Sequence, residues 1–192
     1  MDKTTLKQRL LQLKETFQEQ EETLTELDRA IGDGDHGVNM RRGFEALEEK
    51  IDDSSVANIL KSTGMTLMSN IGGASGPLYG FSFVKMAQAA QEDEINHDQL
   101  AQLLAAFSEA VAQRGKVELN EKTMYDVIES ARQAVENHES VTLEVLQNFA
   151  NETKDMVATK GRAAYFKEDS KGHIDPGAQS SVYILNALIG ED

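Results

Sequence analysis

Residues 24–44 read LTELDRAIGDGDHGVNMRRGF, and this stretch combines the two patterns that decide the fold. Apolar side chains recur every three to four residues over positions 24–31, which is typical of an amphipathic α-helix. The Gly-Asp-Gly-Asp sequence at 32–35 then breaks the helix, and a second helical pattern follows with Met40 and Phe44 on one face. The stretch therefore predicts two helices joined by a tight acidic loop.

The same spacing runs along the whole chain, and no convincing alternating β pattern interrupts it. The apolar positions before residue 32 fit either one long helix or two stacked ones. Eight helical segments with short connections favour an all-α fold, an antiparallel bundle or helical barrel, in a single domain spanning 1–192. The predicted segments are about 6–31, 36–51, 55–71, 77–90, 97–114, a stretch after Thr123, 141–159 and 178–188.

One connection, Lys160–Gly177, is longer than the others and rich in glycine and charge, with the aromatic pair Tyr165–Phe166 inside it. Connections of this length in a compact domain are usually functional, often as lids. We therefore expect a lid-like loop near 160–177, with a solvated surface loop as the alternative.

The net charge of −14 constrains the possible ligands. Nucleic acids and anionic lipid surfaces are bound through Lys and Arg, so neither is expected as a partner. The sequence has no cysteine, no signal peptide pattern and no long apolar run, which favours a cytoplasmic location. A phosphorylated ligand would need compensation from basic residues, helix N-termini or metal ions.

Three aspartates, Asp28, Asp33 and Asp35, fall within eight residues of one another. Close carboxylates repel each other unless a cation lies between them, and Mg²⁺ favours such oxygen ligands while sharing phosphate oxygens. Three carboxylates could serve more than one ion. The bland alternative is a polar helix-capping loop.

Two other interpretations of this loop fail on context. Gly32, Gly34 and Gly37 fit a dinucleotide-binding fingerprint, but that motif follows a strand, and here a helix precedes it. An EF-hand loop would need its glycine at the position held by Val38. A helix begins after Asp35, and its free N–H groups are suited to binding phosphate. A second glycine-rich break, over 72–77, also opens a helix and offers the same kind of site.

Four collinear motifs, GDGDHGxNM, GGASGPLYG, KTMxD and GHxDPGAQS, make the chain resemble the nucleotide-binding L subunit of dihydroxyacetone kinase over about 24–188. The resemblance implies an eight-helix barrel with the nucleotide and two Mg²⁺ ions at one end, and Asp28, Asp33 and Asp35 as metal ligands. At 167–170 the chain reads Lys-Glu-Asp-Ser, where the family tends to have Gly-Glu-Arg-Ser. The implied ADP or ATP contacts are His36, Gly37, Val38, Asn39, Ala74, Ser75, Gly115, Met124, Arg162, Asp175, Pro176 and Gly177.

The resemblance also implies a phosphoryl relay within a split enzyme. Bound ADP would be rephosphorylated by a phosphotransferase-system subunit that draws on phosphoenolpyruvate, and the γ-phosphate would pass to dihydroxyacetone on a K subunit. No catalytic residue is expected in this chain, since the base would come from the partner. Two alternatives stay open: an ATP-dependent kinase subunit with exchangeable nucleotide, and a protein that signals nucleotide state to a transcription regulator.

Overall fold

Helices account for most of residues 1–190, the part of the chain that the computed structural model describes. The last two positions of the predicted domain lie outside the described residues. Within 1–190 there is no β-strand, only an isolated bridge between Asp2 and Glu94, and no helix long and apolar enough to cross a membrane. The α-helices are α1 (Lys3–Glu19), α2 (Glu21–Ile31), α3 (His36–Glu45), α4 (Val56–Asn70), α5 (Ser75–Ala89), α6 (His97–Gly115), α7 (Met124–Glu136), α8 (Leu143–Glu152) and α9 (Pro176–Ile189).

The all-α prediction is confirmed, and the helix boundaries differ from it in three places. The first predicted segment is two helices separated at Gln20, so the alternative of stacked helices is the observed one. Helix α3 ends at Glu45 and α8 at Glu152, each several residues earlier than predicted. After α8 the Thr153 hydroxyl donates to the Ala150 carbonyl (2.6 Å) and accepts the Asp175 N–H (3.0 Å), which directs the chain out of the helix.

The helices pack as a closed ring in the order α1, α3, α4, α5, α6, α7, α9 and back to α1. Helices α2 and α8 pack beside this ring, and α9 contacts both of them. Short loops join the end of α2 to the start of α3, the end of α4 to the start of α5, and the end of α6 to the start of α7, and these starts lie at the same end of the ring. One end of the ring therefore collects several helix N-termini.

The core contains the side chains that the helical spacing predicts, among them Phe17, which is 0% exposed and stacks on Phe44 with 4.8 Å between ring centroids. Helices α4 and α5 approach most closely through glycine. A Cβ at Gly64 would lie 2.5 Å from the Gly80 carbonyl oxygen, and a Cβ at Gly80 would lie 2.6 Å from that of Gly64. These two glycines allow α4 and α5 to pack closely, and the loop that joins these helices lies at the end of the ring where the helix N-termini meet.

The lid segment expected near 160–177 is partly helical instead of a plain loop. Residues Arg162–Ser170 form 3₁₀ turns, and the backbone kinks at Lys167 with φ 51° and ψ −126°. Glycines at 161 and 172, with φ of 62° and 87°, reverse the chain on either side. The segment is thus a folded lid whose only non-glycine residue with positive φ is Lys167.

Replacing Lys167 with glycine is expected to stabilise the protein. A side chain at this φ and ψ is crowded by its own backbone, and glycine removes that strain at a smaller entropic cost. We expect the free energy of unfolding, measured by urea denaturation, to rise by roughly 1 kcal/mol. The exposed Lys154→Gly variant is the control and should be destabilised; equal destabilisation of both variants would contradict the strained backbone.

Candidate functional site

A cavity of about 450 Å³ lies at the end of the ring where helices α3, α5, α7 and α9 begin. The first residues of these helices, His36, Ser75, Met124 and Pro176, all line it. Cavities of a few hundred Å³ suit a small organic ligand. The four motifs of the sequence therefore meet at one site.

The carboxylates of Asp28, Asp33 and Asp35 cluster at one side of the cavity, with one oxygen of each within 4.8 Å of the others. Asp28 is buried at the end of α2, and its Oδ2 accepts the N–H groups of Asp35 (2.9 Å) and His36 (3.1 Å). A Cβ at Gly32 would lie 2.1 Å from Asp28 Oδ1, so glycine is required for this close turn. Hard oxygen donors in this arrangement fit Mg²⁺.

Two of the four helices begin without a cap from their own N-cap side chain. The N-caps of α7 and α9, Thr123 and Asp175, accept backbone N–H groups of their helices, whereas the N-caps of α3 and α5, Asp35 and Ala74, do not. In α3, Asp28 supplies the missing acceptor. The start of α5 is left open toward the cavity, where its N–H groups and helix dipole favour an anion.

Part of the cavity wall is apolar. It is formed by Leu78, Val111, Val117 and Met124, together with Gly115 at the end of α6. A Cβ at Gly115 would meet Leu78 and Val117 at 3.4 Å, so the wall is closely packed. Such a surface suits a flat aromatic ring.

Cationic side chains also line the cavity: Arg114, Lys122, Lys160 and Arg162. Arg162, in the lid, forms an ion pair with Asp33 in the acidic loop, and both side chains are substantially exposed. Exposed ion pairs contribute little stability, so this one is easily exchanged for another partner. The site thus offers positive charge in a protein whose net charge is −14.

A buried hydrogen-bond network joins three of the motifs behind the cavity. His36 Nε2 lies 2.9 Å from Ser180 Oγ, which lies 2.7 Å from the Tyr79 hydroxyl; Tyr79 also donates to the Gly177 carbonyl (3.0 Å). Burial lowers the pKa of His36 to about 4, although Asp28 and Asp35 oppose this shift. The imidazole is therefore neutral near pH 7, and it serves as an uncharged hydrogen-bonding group.

Most of the predicted site residues line the cavity, and two do not. A Cβ at Gly37 would lie 2.1 Å from the Glu21 carbonyl oxygen, so this glycine is required for packing of α3 on α2 and not for ligand approach from that side. Val38 is 41% exposed and lines a separate surface cavity with Glu21 and Arg41. Ligand contacts at 37 and 38 remain a prediction that involves their backbone alone.

Sequence reasoning did not single out Lys122, Tyr79 or Ser180, although each belongs to one of the quoted motifs. All three are 0% exposed. Nothing in the spacing of a single motif indicates that these side chains meet residues of distant motifs. The position of Lys122 inside KTMxD, a charged residue directly before a helix cap, was the one available signal.

The fold and the site define a class of helical domains in which carboxylates and helix N-termini surround a small-molecule cavity. The chain belongs to the DAK2 domain family, whose model matches residues 30–190. The predicted resemblance is confirmed at this level.

Two relatives of similar length are named for dihydroxyacetone kinase. The chain is 44% identical over 186 residues to the PEP-dependent dihydroxyacetone kinase ADP-binding subunit DhaL of Escherichia coli, covering 90% of this chain and 89% of that one. It is 43% identical over 178 residues to the corresponding subunit of kinase 1 of Listeria innocua, covering 91% and 89%. Both are similar to this chain over nearly its whole length.

A solved structure shares the fold. The crystal structure of the dihydroxyacetone kinase from C. freundii in complex with AMP-PNP and Mg²⁺ superimposes with a TM-score of 0.74 at 20% identity. The match covers 97% of this chain and 34% of the C. freundii chain, so this chain spans about a third of that kinase. The helical ring is thus an arrangement also found within a larger chain.

The Asp175 carboxyl gives the fold a pH dependence. Burial raises its pKa to about 7 from 3.8, against the opposing effects of the Ala178 N–H and the Lys122 ammonium. Between about pH 4 and 7 the folded state therefore binds more protons at this group than the unfolded state does, so its contribution to stability is lost as pH rises through that window.

The Asp175→Asn variant tests this effect in nucleotide-free protein with EDTA. Asparagine resembles the protonated acid and keeps a cap for α9. From pH 4 to 7 the unfolding free energy of the wild type should fall relative to that of the variant, by at most about 1.4 kcal/mol per pH unit, and stay level above about pH 7. His36 titrates in both proteins and cancels; a constant difference across the window would refute the raised pKa.

Proposed function

We propose that this chain is the ADP- and ATP-binding subunit of a phosphoenolpyruvate-dependent dihydroxyacetone kinase. In this role it is a phosphotransferase subunit that works with a dihydroxyacetone-binding K subunit and a phosphoryl-donor subunit of the phosphotransferase system. Bound ADP is rephosphorylated in place, and the γ-phosphate is passed to dihydroxyacetone on the K subunit. The observation that carries the proposal is that Asp28, Asp33 and Asp35 cluster in a cavity that is also lined by the uncapped start of α5.

The geometry supports a definite orientation of the nucleotide. Leu78 and Met124 on the apolar wall would hold adenine, and the N–H groups after Ala74, together with metal ions held by the carboxylates, would bind the phosphates. The names of the relatives of similar length, with their ADP-binding and PEP-dependent descriptions, support an adenine nucleotide as the ligand. A triphosphate near three carboxylates is tolerable only when divalent cations lie between them.

Asp28, Asp33 and Asp35 would hold two Mg²⁺ ions, which supply neutralisation of phosphate charge when bound. Asp28 is fixed by the N–H groups of residues 35 and 36, so one ligand oxygen is held in place before any metal arrives. Arg162 can leave Asp33 for a phosphate oxygen, because its present ion pair is exposed and weak. The lid thereby closes over the phosphates and excludes water.

The Asp33→Asn substitution tests the metal site. It removes one anionic ligand, and since loss of groups that merely support a metal ligand costs about 10–100-fold in affinity, we expect at least that loss in Mg²⁺-dependent ADP affinity. Isothermal titration with ADP, in Mg²⁺ and in EDTA, measures it. Asp98→Asn, a 90% exposed aspartate on α6, is the matched control and should bind ADP like the wild type.

Unchanged ADP affinity in EDTA, or in the Asp33→Asn variant, would contradict the proposed metal site.

Measurements on the wild type decide between the alternative functions. Native mass spectrometry after gel filtration should find ADP still bound, and dihydroxyacetone phosphorylation should depend on phosphoenolpyruvate and the donor subunit. Loss of ADP on the column together with turnover on free ATP would instead identify an ATP-dependent kinase subunit. Binding of a transcription regulator with no turnover would identify a signalling protein.

A further inference from the structure

Lys122 is a charged side chain that is entirely buried, with 0% of its surface exposed, at the edge of the cavity. Its ammonium donates to the carbonyl oxygens of Thr153 and His173, each at 2.5 Å. Burying an ammonium is costly, and a methionine would fill the same volume without that cost. The hydrogen bonds of the Lys122 ammonium must therefore offset the cost of burying it.

The two carbonyl partners lie on either side of the folded part of the lid, Arg162–Ser170. Thr153 immediately follows α8, His173 precedes the first residues of α9, and the intervening segment carries Arg162 over the cavity. The Lys122 ammonium thus contacts both ends of the stretch from Thr153 to His173. Two hydrogen bonds from backbone N–H groups connect the same two parts of the chain. The Gly172 N–H donates to the Lys154 carbonyl (2.8 Å), and the Asp175 N–H donates to Thr153 Oγ1.

The loop that carries Lys122 also holds the start of the lid. The Thr159 N–H donates to the Glu121 carbonyl (3.3 Å), and the Lys160 ammonium donates to the Lys116 carbonyl (2.8 Å). The loop between α6 and α7 therefore supports the lid, and within this loop the Lys122 ammonium contacts residues on both sides of it.

The position of the ammonium is itself fixed. Lys122 has a positive φ of 61°, and the neighbouring Thr123 and Asp126 form the capping box of α7. The Asp126 carboxylate accepts the N–H groups of Asn120 (2.5 Å) and Thr123 (2.8 Å), which holds the backbone on both sides of Lys122. Met124, two residues after Lys122, is on the apolar wall of the cavity.

From these contacts we propose that Lys122 is a positioning residue for the nucleotide site: it holds the lid and the Asp175–Gly177 turn in register with the apolar wall. The expected effect on nucleotide release rests on the proposed function, whereas the expected effect on the position of the lid does not. Without the ammonium, the two ends of the lid lose their common partner, the lid opens more often, and bound ADP leaves faster.

The Lys122→Met variant tests the proposal, with Lys154→Met, an exposed lysine in the same segment, as the matched control. Hydrogen exchange is measured on the full chain without nucleotide. Amides of residues 154–174 should exchange at least about tenfold faster in Lys122→Met than in the wild type, as expected for loss of two hydrogen bonds from a charged donor. Amides in α4, α5 and α6 should be unchanged, and the control should match the wild type throughout.

Release of Mg²⁺-ADP, followed by stopped flow with a fluorescent ADP analogue, is the second readout. We expect release about tenfold faster in Lys122→Met, and a substantial return toward the wild-type rate in Lys122→Arg, whose guanidinium can reach both carbonyls. If Lys122→Met does not fold, Lys122→Gln replaces it under the same criteria. Faster exchange throughout α4–α6, or an unchanged lid, would overturn the proposal.

The two hypotheses fail in different ways. If the wild type binds no ADP, the proposed function is wrong, and the exchange of residues 154–174 alone decides the role of Lys122. If the wild type binds ADP but Lys122→Met releases it at the wild-type rate, the proposed function stands and the positioning role is overturned.

Discussion

Electrostatic repulsion between a polyanionic ligand and a chain of net charge −14 is the constraint on which the proposed site depends. The fold answers it by directing the starts of four helices to one end of the ring, where each contributes roughly half a positive charge. Two of these starts are satisfied by their own caps, one by Asp28, and one, at Ala74, faces the cavity. Cationic side chains line the same space, so the acidic surface elsewhere does not prevent an anion from entering.

The acidic loop illustrates how one residue can serve both the fold and the site. Asp28 caps α3 through one carboxylate oxygen, which fixes the loop, and its other oxygen lies against Gly32 at the edge of the cluster. The two interpretations considered for these aspartates, a capping loop and a metal site, are therefore compatible. Among the described residues, no backbone N–H group holds the carboxylate of Asp33 or Asp35 in this way, and the exposed ion pair of Asp33 with Arg162 can be exchanged for a cation.

The lid and the buried network form the two supports of the cavity. His36, Ser180 and Tyr79 join the starts of α3, α5 and α9 through neutral hydrogen bonds, which suits a rigid wall. The lid contacts Lys122 and the loop that carries it, and its Arg162 forms an exposed ion pair with Asp33. One side of the cavity is thus rigid, and the lid on the other side has an exposed ion pair that is easily exchanged. This combination would suit a site that retains a ligand yet exchanges phosphoryl groups with partner proteins.

The sequence by itself determined the all-helical class, the core faces of the helices and the position of the acidic loop, because helical periodicity and glycine breaks are local properties of the chain. Most of the site residues that the family resemblance implies also line the cavity. Only the tertiary structure decided that α8 ends at Glu152, that Gly37 packs against α2, and that Lys122 is buried between two ends of the lid. Each of these depends on a partner distant in sequence, and local patterns carry no information about which distant groups will meet.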